Sequence, residues 1–264
     1  MDSPQIYNIG LVNWLGLWTL YKKEVQRFMK VYTQTIIAPV ITTMLYVIIF
    51  SLALGGLDRI VGDTPFVVFL MPGLIMMSMA QNAFANTSSS IMISKYDGSI
   101  VDILMPPLSA FELTFAKVMG GTTRGLVVGL STGIAGYLFI DADIHSFTII
   151  FIFSLLGSMM LSTLGVIGGI WAEKFDHIAA LTNFIIMPLT FLSGTFYTVE
   201  RLPEKWQLIT HFNPFFYMID GFRYGFIGRA DSDISMGIII LLGVNASLLG
   251  LCWLLIVKGY KIKS

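Results

Sequence analysis

Residues 95–117, KYDGSIVDILMPPLSAFELTFAK, decide how this chain is read, because the charged, proline-broken stretch separates two runs that can each cross a bilayer. Upstream, 65–94 contains no Asp, Glu, Lys, Arg or His, and downstream 125–140 is equally uncharged. About twenty apolar residues suffice to cross the hydrocarbon. The interrupting stretch therefore lies outside the membrane, where another surface can grip it.

Working outward, the whole chain is too apolar for soluble domains. Of 264 residues, 55% are hydrophobic and only 12% charged, with a mean hydropathy of +0.78, which marks an integral membrane protein. The formal charge is zero and no long like-charge run exists, which excludes a phosphate-tracking nucleic-acid groove. The single cysteine, Cys252, lies in an apolar run and reads as a small buried hydrophobe. The N-terminus is not a signal peptide, since its cluster Lys22, Lys23, Arg27 and Lys30 follows the apolar stretch instead of preceding it. Leu11, Trp14, Trp18, Tyr21, Val25, Phe28 and Tyr32 recur every three or four residues, the pattern of a helix lying in the interface plane over 1–32.

Uncharged runs predict a single all-α transmembrane domain over 1–264, with six spans at 33–57, 66–94, 118–140, 146–172, 178–197 and 235–257. An even number puts both termini on one side. The termini and the loops around Lys95 and Lys174 hold eleven of the sixteen Lys and Arg, against seven of the sixteen acids. The positive-inside rule then places both termini in the cytoplasm. The last external stretch, 198–233, carries Trp206, Ile209, Phe212, Phe216, Ile219, Phe222 and Phe226 at helical spacing, broken at Pro214. It reads as two short helices re-entering the outer leaflet, or alternatively as a surface pair with an aromatic belt. Asp220 and Arg223, three apart, can pair there and ease their burial.

In the second span Ser78, Asn82, Asn86 and Ser90 stand four apart and form one polar ridge. Two readings stand: the ridge lines a translocation path, or it hydrogen-bonds between helices. Gly121, Gly125, Gly129 and Gly133 form a small ridge on the third span, and Ser154, Ser158, Ser162, Gly165 and Gly169 another on the fourth, which predicts a tight hairpin of these two helices. Pro188 should kink the fifth span, whose Thr190, Ser193 and Thr195 make it a second candidate for the pathway wall.

Ser109-Ala-Phe-Glu112 is a capping box just after Pro106 and Pro107. The helix it starts, running to residue 140, is roughly 45 Å long at 1.5 Å per residue and overshoots the membrane. Its Lys117 should sit near the headgroups and Arg124 snorkel from about two turns deeper. Between this helix and the second span, Ile100, Val101, Ile103 and Leu104 form a short apolar element expected to seek a partner surface.

The run Gly98-Ser99-Ile100-Val101-Asp102-Ile103-Leu104-Met105-Pro106, followed by Ser109, Glu112 and Lys117, resembles the loop between the second and third spans of ABC-2 type permeases. Those permeases are the membrane halves of exporters in the ATP-binding-cassette superfamily. The stretch Leu202-Pro203-Glu204-Lys205-Trp206, then Asn213-Pro214 and 217–223 with Gly225, resembles that family's external region. The likeness covers nearly the whole chain and is closest to the small stand-alone permeases related to nodulation-factor and drug exporters. Ser99 and Asp102 depart mildly from it, occupying places where Thr and Glu are frequent.

The resemblance implies the type-2 exporter fold, in a bacterial inner membrane. It implies a permease dimer, of identical chains as the commoner solution, that carries two ATPase subunits and uses 95–109 as its coupling segment. No Gly-x-x-x-x-Gly-Lys-Ser/Thr phosphate loop occurs in the chain, so no cofactor is expected on it and ATP with Mg belongs to the partner. An ion-coupled carrier is the alternative, but none of the six spans has an Asp, Glu or His near its middle. A membrane-embedded enzyme on lipids or glycans fares no better: His145, His177 and His211 lie near loops, without a His-Glu-x-x-His or paired-carboxylate spacing.

Overall fold

The structure, a computed structural model, describes residues 10–54, 60–61, 64–138 and 144–261. Residues 1–9 of the expected in-plane helix, 55–57 of the first span and 139–140 of the third lie outside the described residues. Helix α1 (Trp14–Met29) starts where the Asn13 side chain accepts from the Gly16 amide. A π-helical turn, Thr33–Ile37, leads into α2 (Ala38–Leu54), and α3 runs over Phe66–Tyr96. Then come the short α4 (Ile100–Leu104), the long α5 (Ala110–Tyr137) and α6 (Phe147–Trp171). The fifth span is divided into α7 (Phe175–Leu181), a second π turn (Thr182–Ile186) and α8 (Met187–Leu192). Helices α9 (Glu204–His211), α10 (Pro214–Ile227) and α11 (Ile234–Val257) complete the order. Among the described residues the only strands are the two-residue pair Ile60–Val61 and Thr64–Pro65.

Both π turns end two residues before a proline, Pro39 and Pro188. A proline has no N–H to give the carbonyl four residues back, and its ring collides with that carbonyl. Widening the ladder by one residue relieves both faults without ending the helix. The sequence anticipates the distortion at Pro188 and overlooks the equivalent one at Pro39.

Five helical stretches are long and apolar enough to cross a membrane: Thr33–Ala53, Phe66–Tyr96, Phe147–Trp171, Phe175–Leu192 and Ile234–Val257. Helix α5, at the expected third span, is long enough, but its glycines, threonines, Lys117 and Arg124 make it less apolar. In the bundle α3 is central, 78% buried over its most apolar window, and α6 follows at 61%. The first, fifth and last spans are only 17%, 11% and 17% buried, so their apolar surfaces face outward, to lipid or to another subunit.

Small residues set this arrangement. A Cβ on Gly125 would lie 2.7 Å from Ser158 Oγ of α6 and 3.1 Å from the Met79 carbonyl of α3. Gly165 and Gly169 of α6 instead face the Phe84 and Ser88 carbonyls of α3. The expected hairpin forms and is extended to a three-helix contact: the serines of the α6 ridge meet α5, with Ser158 beside Gly125 and Ser162 Oγ donating to the Val118 carbonyl at 2.6 Å, while its glycines turn to α3. Thr87 Oγ1 donates to the Ser162 carbonyl at 2.8 Å across that seam. Close backbone approach of this kind is what small ridges permit inside lipid.

At the other end of the bundle, Asn213 caps α10 with Pro214 in its first turn, and Gly228 ends it in the left-handed region at φ 69°. Helix α10 is buried against α3, α6 and α11, whereas α9 remains largely exposed.

Candidate functional site

Gly98 takes φ +77°, which lets the chain turn from α3 into α4. The Ser99 amide donates to Asp97 Oδ1 at 2.9 Å within the turn, and these Ser99 hydrogen bonds hold the Asp97 carboxyl below its ordinary range. On α4, Ile103 is buried against Leu20 of α1 and Leu113 and Ala116 of α5, with Ile100, Leu104 and Leu108 leaning on the same cluster. The expectation of four unpartnered apolar side chains is thus corrected. Val101, 55% exposed, and Met105, 77% exposed, are the outward ones, joined by exposed Gly98, Asp102 and Pro106. The amphipathic turn has only one side free, because the other is needed to seat it on the bundle.

Three ties hold this element to the rest of the molecule. Lys95 Nζ donates to the Ile170 and Ala172 carbonyls at 2.9 and 2.6 Å, capping the end of α6. Ser109 and Glu112 form the capping box of α5. The same Glu112 carboxylate accepts from the Asn13 amide at 2.5 Å, and Asn13 Nδ2 donates to the Pro107 carbonyl at 3.2 Å. The Ser109 amide, joined by that of Asn13, outweighs burial and keeps the Glu112 carboxyl below its ordinary value. One carboxylate therefore pins the starts of α1 and α5 together beside α4. The capping box is legible in sequence; its third donor, 99 residues away, is not.

The polar ridge on α3 is occupied from two sides. Ser90 Oγ donates to Glu24 Oε1 of α1 at 2.9 Å, and Lys117 Nζ of α5 donates to Ser90 Oγ at 2.9 Å and to Glu24 Oε1 at 2.5 Å. One turn along, Arg27 Nη2 donates to the Asn86 carbonyl and to its Oδ1, at 2.6 and 3.0 Å. A further turn along, Arg124 Nη2 donates to Asn82 Oδ1 at 2.8 Å, while Asn82 Nδ2 donates to the Ser78 carbonyl at 3.0 Å. Lys117 is accordingly buried in an ion pair and does not reach for headgroups. Burial opposes the Glu24 charge, but the Lys117 ammonium and Arg27 guanidinium prevail and hold its carboxyl below the usual range.

Asn86 and Ser90 are buried and partnered, whereas Ser78 and Asn82 border a cavity of about 270 Å³ between α2 and α3. Gln34, Thr42, Thr43, Tyr46 and Gln81 line the same cavity. Thr190 and Ser193 do not line it; both are buried, with Thr190 Oγ1 donating to the Ile186 carbonyl at 2.7 Å and Asn213 Nδ2 donating to Ser193 Oγ at 2.8 Å. Thr190 thus bonds back within its own span, while Ser193 and the Leu189 carbonyl tie the end of α8 to Asn213, the cap of α10.

Asp220 and Arg223 are both buried, yet no direct ion pair joins them. Asp220 instead accepts from the Asp231 and Ser232 amides, both at 2.9 Å, and from Ser232 Oγ at 2.7 Å. Arg223 Nη2 donates to the Gly194 carbonyl at 2.6 Å, and its guanidinium stands 4.0 Å from the centre of the Phe69 ring. Each residue staples α10 to a different loop, which a pairing inferred from i,i+3 spacing overlooks.

The chain is similar to known transport proteins along most of its length. The profile of the family described as ABC-2 type transporter matches residues 16–227. The inner membrane transport permease YadH of Escherichia coli (strain K12) is 36% identical over 253 residues, which cover 95% of this chain and 98% of that protein. Nodulation protein J of Neorhizobium galegae is 22% identical over 235 residues, covering 89% and 88%, and its counterpart from Rhizobium leguminosarum bv. viciae is 22% identical over 237 residues, covering 88% and 89%.

Proposed function

The chain belongs to the ABC-2 type transporter family, and on that premise we propose that it is the permease of an exporter powered by ATP hydrolysis on a separate subunit. Membership makes it a membrane permease subunit of an ABC transporter, a multi-pass inner-membrane protein that works with an ABC ATPase. In the reading proposed here both termini and α4 face the cytoplasm. Two ATPase chains serve a permease homodimer, ATP and Mg bind only those partners, and cargo moves outward. The chain itself performs no hydrolysis.

The observation that carries the reading is the outward pair Val101 and Met105 on an element tied to three helices at once. A short, rigidly seated turn with an apolar outer side is a handle: a partner that closes on ATP can displace it only by displacing α1, α5 and α6 with it. The Glu112 link passes the push to α1, the Lys95 cap passes it to α6, and the bundle rocks as rigid pieces around the α3 seam. Hydrolysis resets the assembly.

Purification of the tagged permease from native membranes in mild detergent tests this. The expected result is recovery of a chain with a phosphate-binding loop, lost when Met105→Asp puts a charge on the docking side. Equal recovery of that ATPase with Met105→Asp and Val101→Asp variants contradicts the assignment of the handle.

A further inference from the structure

Four ionic side chains converge on the α3 ridge, and only one is an acid. Glu24 balances Lys117, which leaves Arg27 and Arg124 in excess. Arg27 Nε stands 3.4 Å from Glu24 Oε2 but makes no hydrogen bond with it. No carboxylate among the described residues lies within 4.0 Å of an Arg124 nitrogen, and its Nε is buried without a partner, as is Asn86 Nδ2. Glu112, the acid of α5, is engaged by Ser109 and Asn13 about three turns before Arg124. Cations inside a membrane protein are costly unless a countercharge or water meets them.

The cavity between α2 and α3 adjoins this excess charge. Asn82 belongs to both, lining the cavity while accepting from Arg124. Gln34 from the far wall and Gln81 next to Asn82 on α3 present side chains that hydrogen-bond to no other described residue. Beside it on α2, Ile41, Leu45 and Ile48 are exposed. At about 270 Å³ the space falls just below the roughly 300 Å³ at which sites for whole drug-sized ligands begin. It has room for a head group but not for a tail.

Resting on the transport reading above, we infer that this cleft receives the phosphate-bearing head of the cargo. Neither guanidinium lines the cleft; Arg124 stands directly behind Asn82, which it holds by a hydrogen bond, and with Arg27 one turn away on the ridge it supplies the countercharge from there. Asn82, Gln34 and Gln81 hydrogen-bond the polar head, and an apolar tail lies along Ile41, Leu45 and Ile48 of α2. A cation one side chain away in a water-poor setting still favours an anion strongly over a neutral group. A neutral hydrophobic compound leaves the arginine charge unanswered and is disfavoured.

The test uses the purified permease and three probes: dihexanoyl phosphatidic acid, dihexanoyl phosphatidylcholine and inorganic phosphate, with affinity read by calorimetry. Phosphatidic acid is expected to bind about tenfold more tightly than phosphatidylcholine, and Arg124→Gln to remove about that factor, as loss of a nearby countercharge does. Arg124→Lys should restore part of it. If Arg124→Gln fails to fold, Gln81→Leu, on the half-exposed wall, should still weaken phosphatidic acid several-fold. Displacement by inorganic phosphate at similar concentration identifies a free oxyanion as the ligand, and its failure to displace identifies an amphiphile head; either outcome keeps the phosphate site. Equal affinity for the two lipids, or unchanged affinity in both Arg124→Gln and Gln81→Leu, overturns it. The Met105→Asp variant separates this from the transport reading, since it should lose the ATPase while binding phosphatidic acid normally.

Discussion

Glu112 is the residue on which the most structure depends, because three donors from two helix starts meet on one carboxylate. Its folded pKa lies below the ordinary 4.5, so its contribution to stability is fully present above that value and is lost as pH falls through the folded pKa. Melting curves of wild type and Glu112→Gln between about pH 6 and about pH 3 should therefore converge at the acid end. A constant gap across that window contradicts the sign. Ser109→Ala removes one cap and is expected to cost about 1 kcal/mol, measurable as a lowered melting temperature in detergent. Glu24 and Lys117 behave differently, since removing one leaves the other charged and buried. Lys117→Met alone should cost about 3 to 5 kcal/mol, and Glu24→Gln added to it should recover much of that. Additive losses in the double variant would show that the pair is not coupled.

Among the elements, α4 separates what a sequence makes legible from what it does not. Its position between Gly98 and two prolines, its apolar content and the capped helix after it are all local signals, and they can be read from adjacent residues. Which of its four apolar side chains are free is a tertiary matter: Ile103 is taken by Leu20 and Leu113, partners that no local pattern reveals. The same limit hides the Glu24–Lys117 pair, 93 residues apart, and the separate partners of Asp220 and Arg223. It also hides the second neighbour of the α6 ridge, whose serines meet α5 as expected while its glycines meet α3. Five of the six expected spans coincide with helical stretches long and apolar enough to cross a membrane, because uncharged runs longer than the hydrocarbon thickness have few other uses. From this follows an element-scale expectation: Leu104→Asp, in the seated cluster, should lower the melting temperature, whereas Val101→Asp and Met105→Asp should leave it nearly unchanged and abolish ATPase recovery. Similar thermal losses in all three would erase the distinction between the seated and the outward side.

For the whole molecule, the buried centre of α3 and α6 is surrounded by three spans whose surfaces remain apolar and uncovered. This division suits a rigid core within a more loosely held periphery, and it leaves α2, α7–α8 and α11 to meet lipid or another subunit. In the proposed assembly the outward side of α4 faces the cytoplasm and is covered there by an ATPase. Met105→Cys in a Cys252→Ala background, probed with a membrane-impermeant maleimide, tests it most directly. Intact cells should leave the thiol unlabelled, opened membranes should label it, and bound ATPase should protect it again. Labelling of Met105→Cys in intact cells would contradict the account.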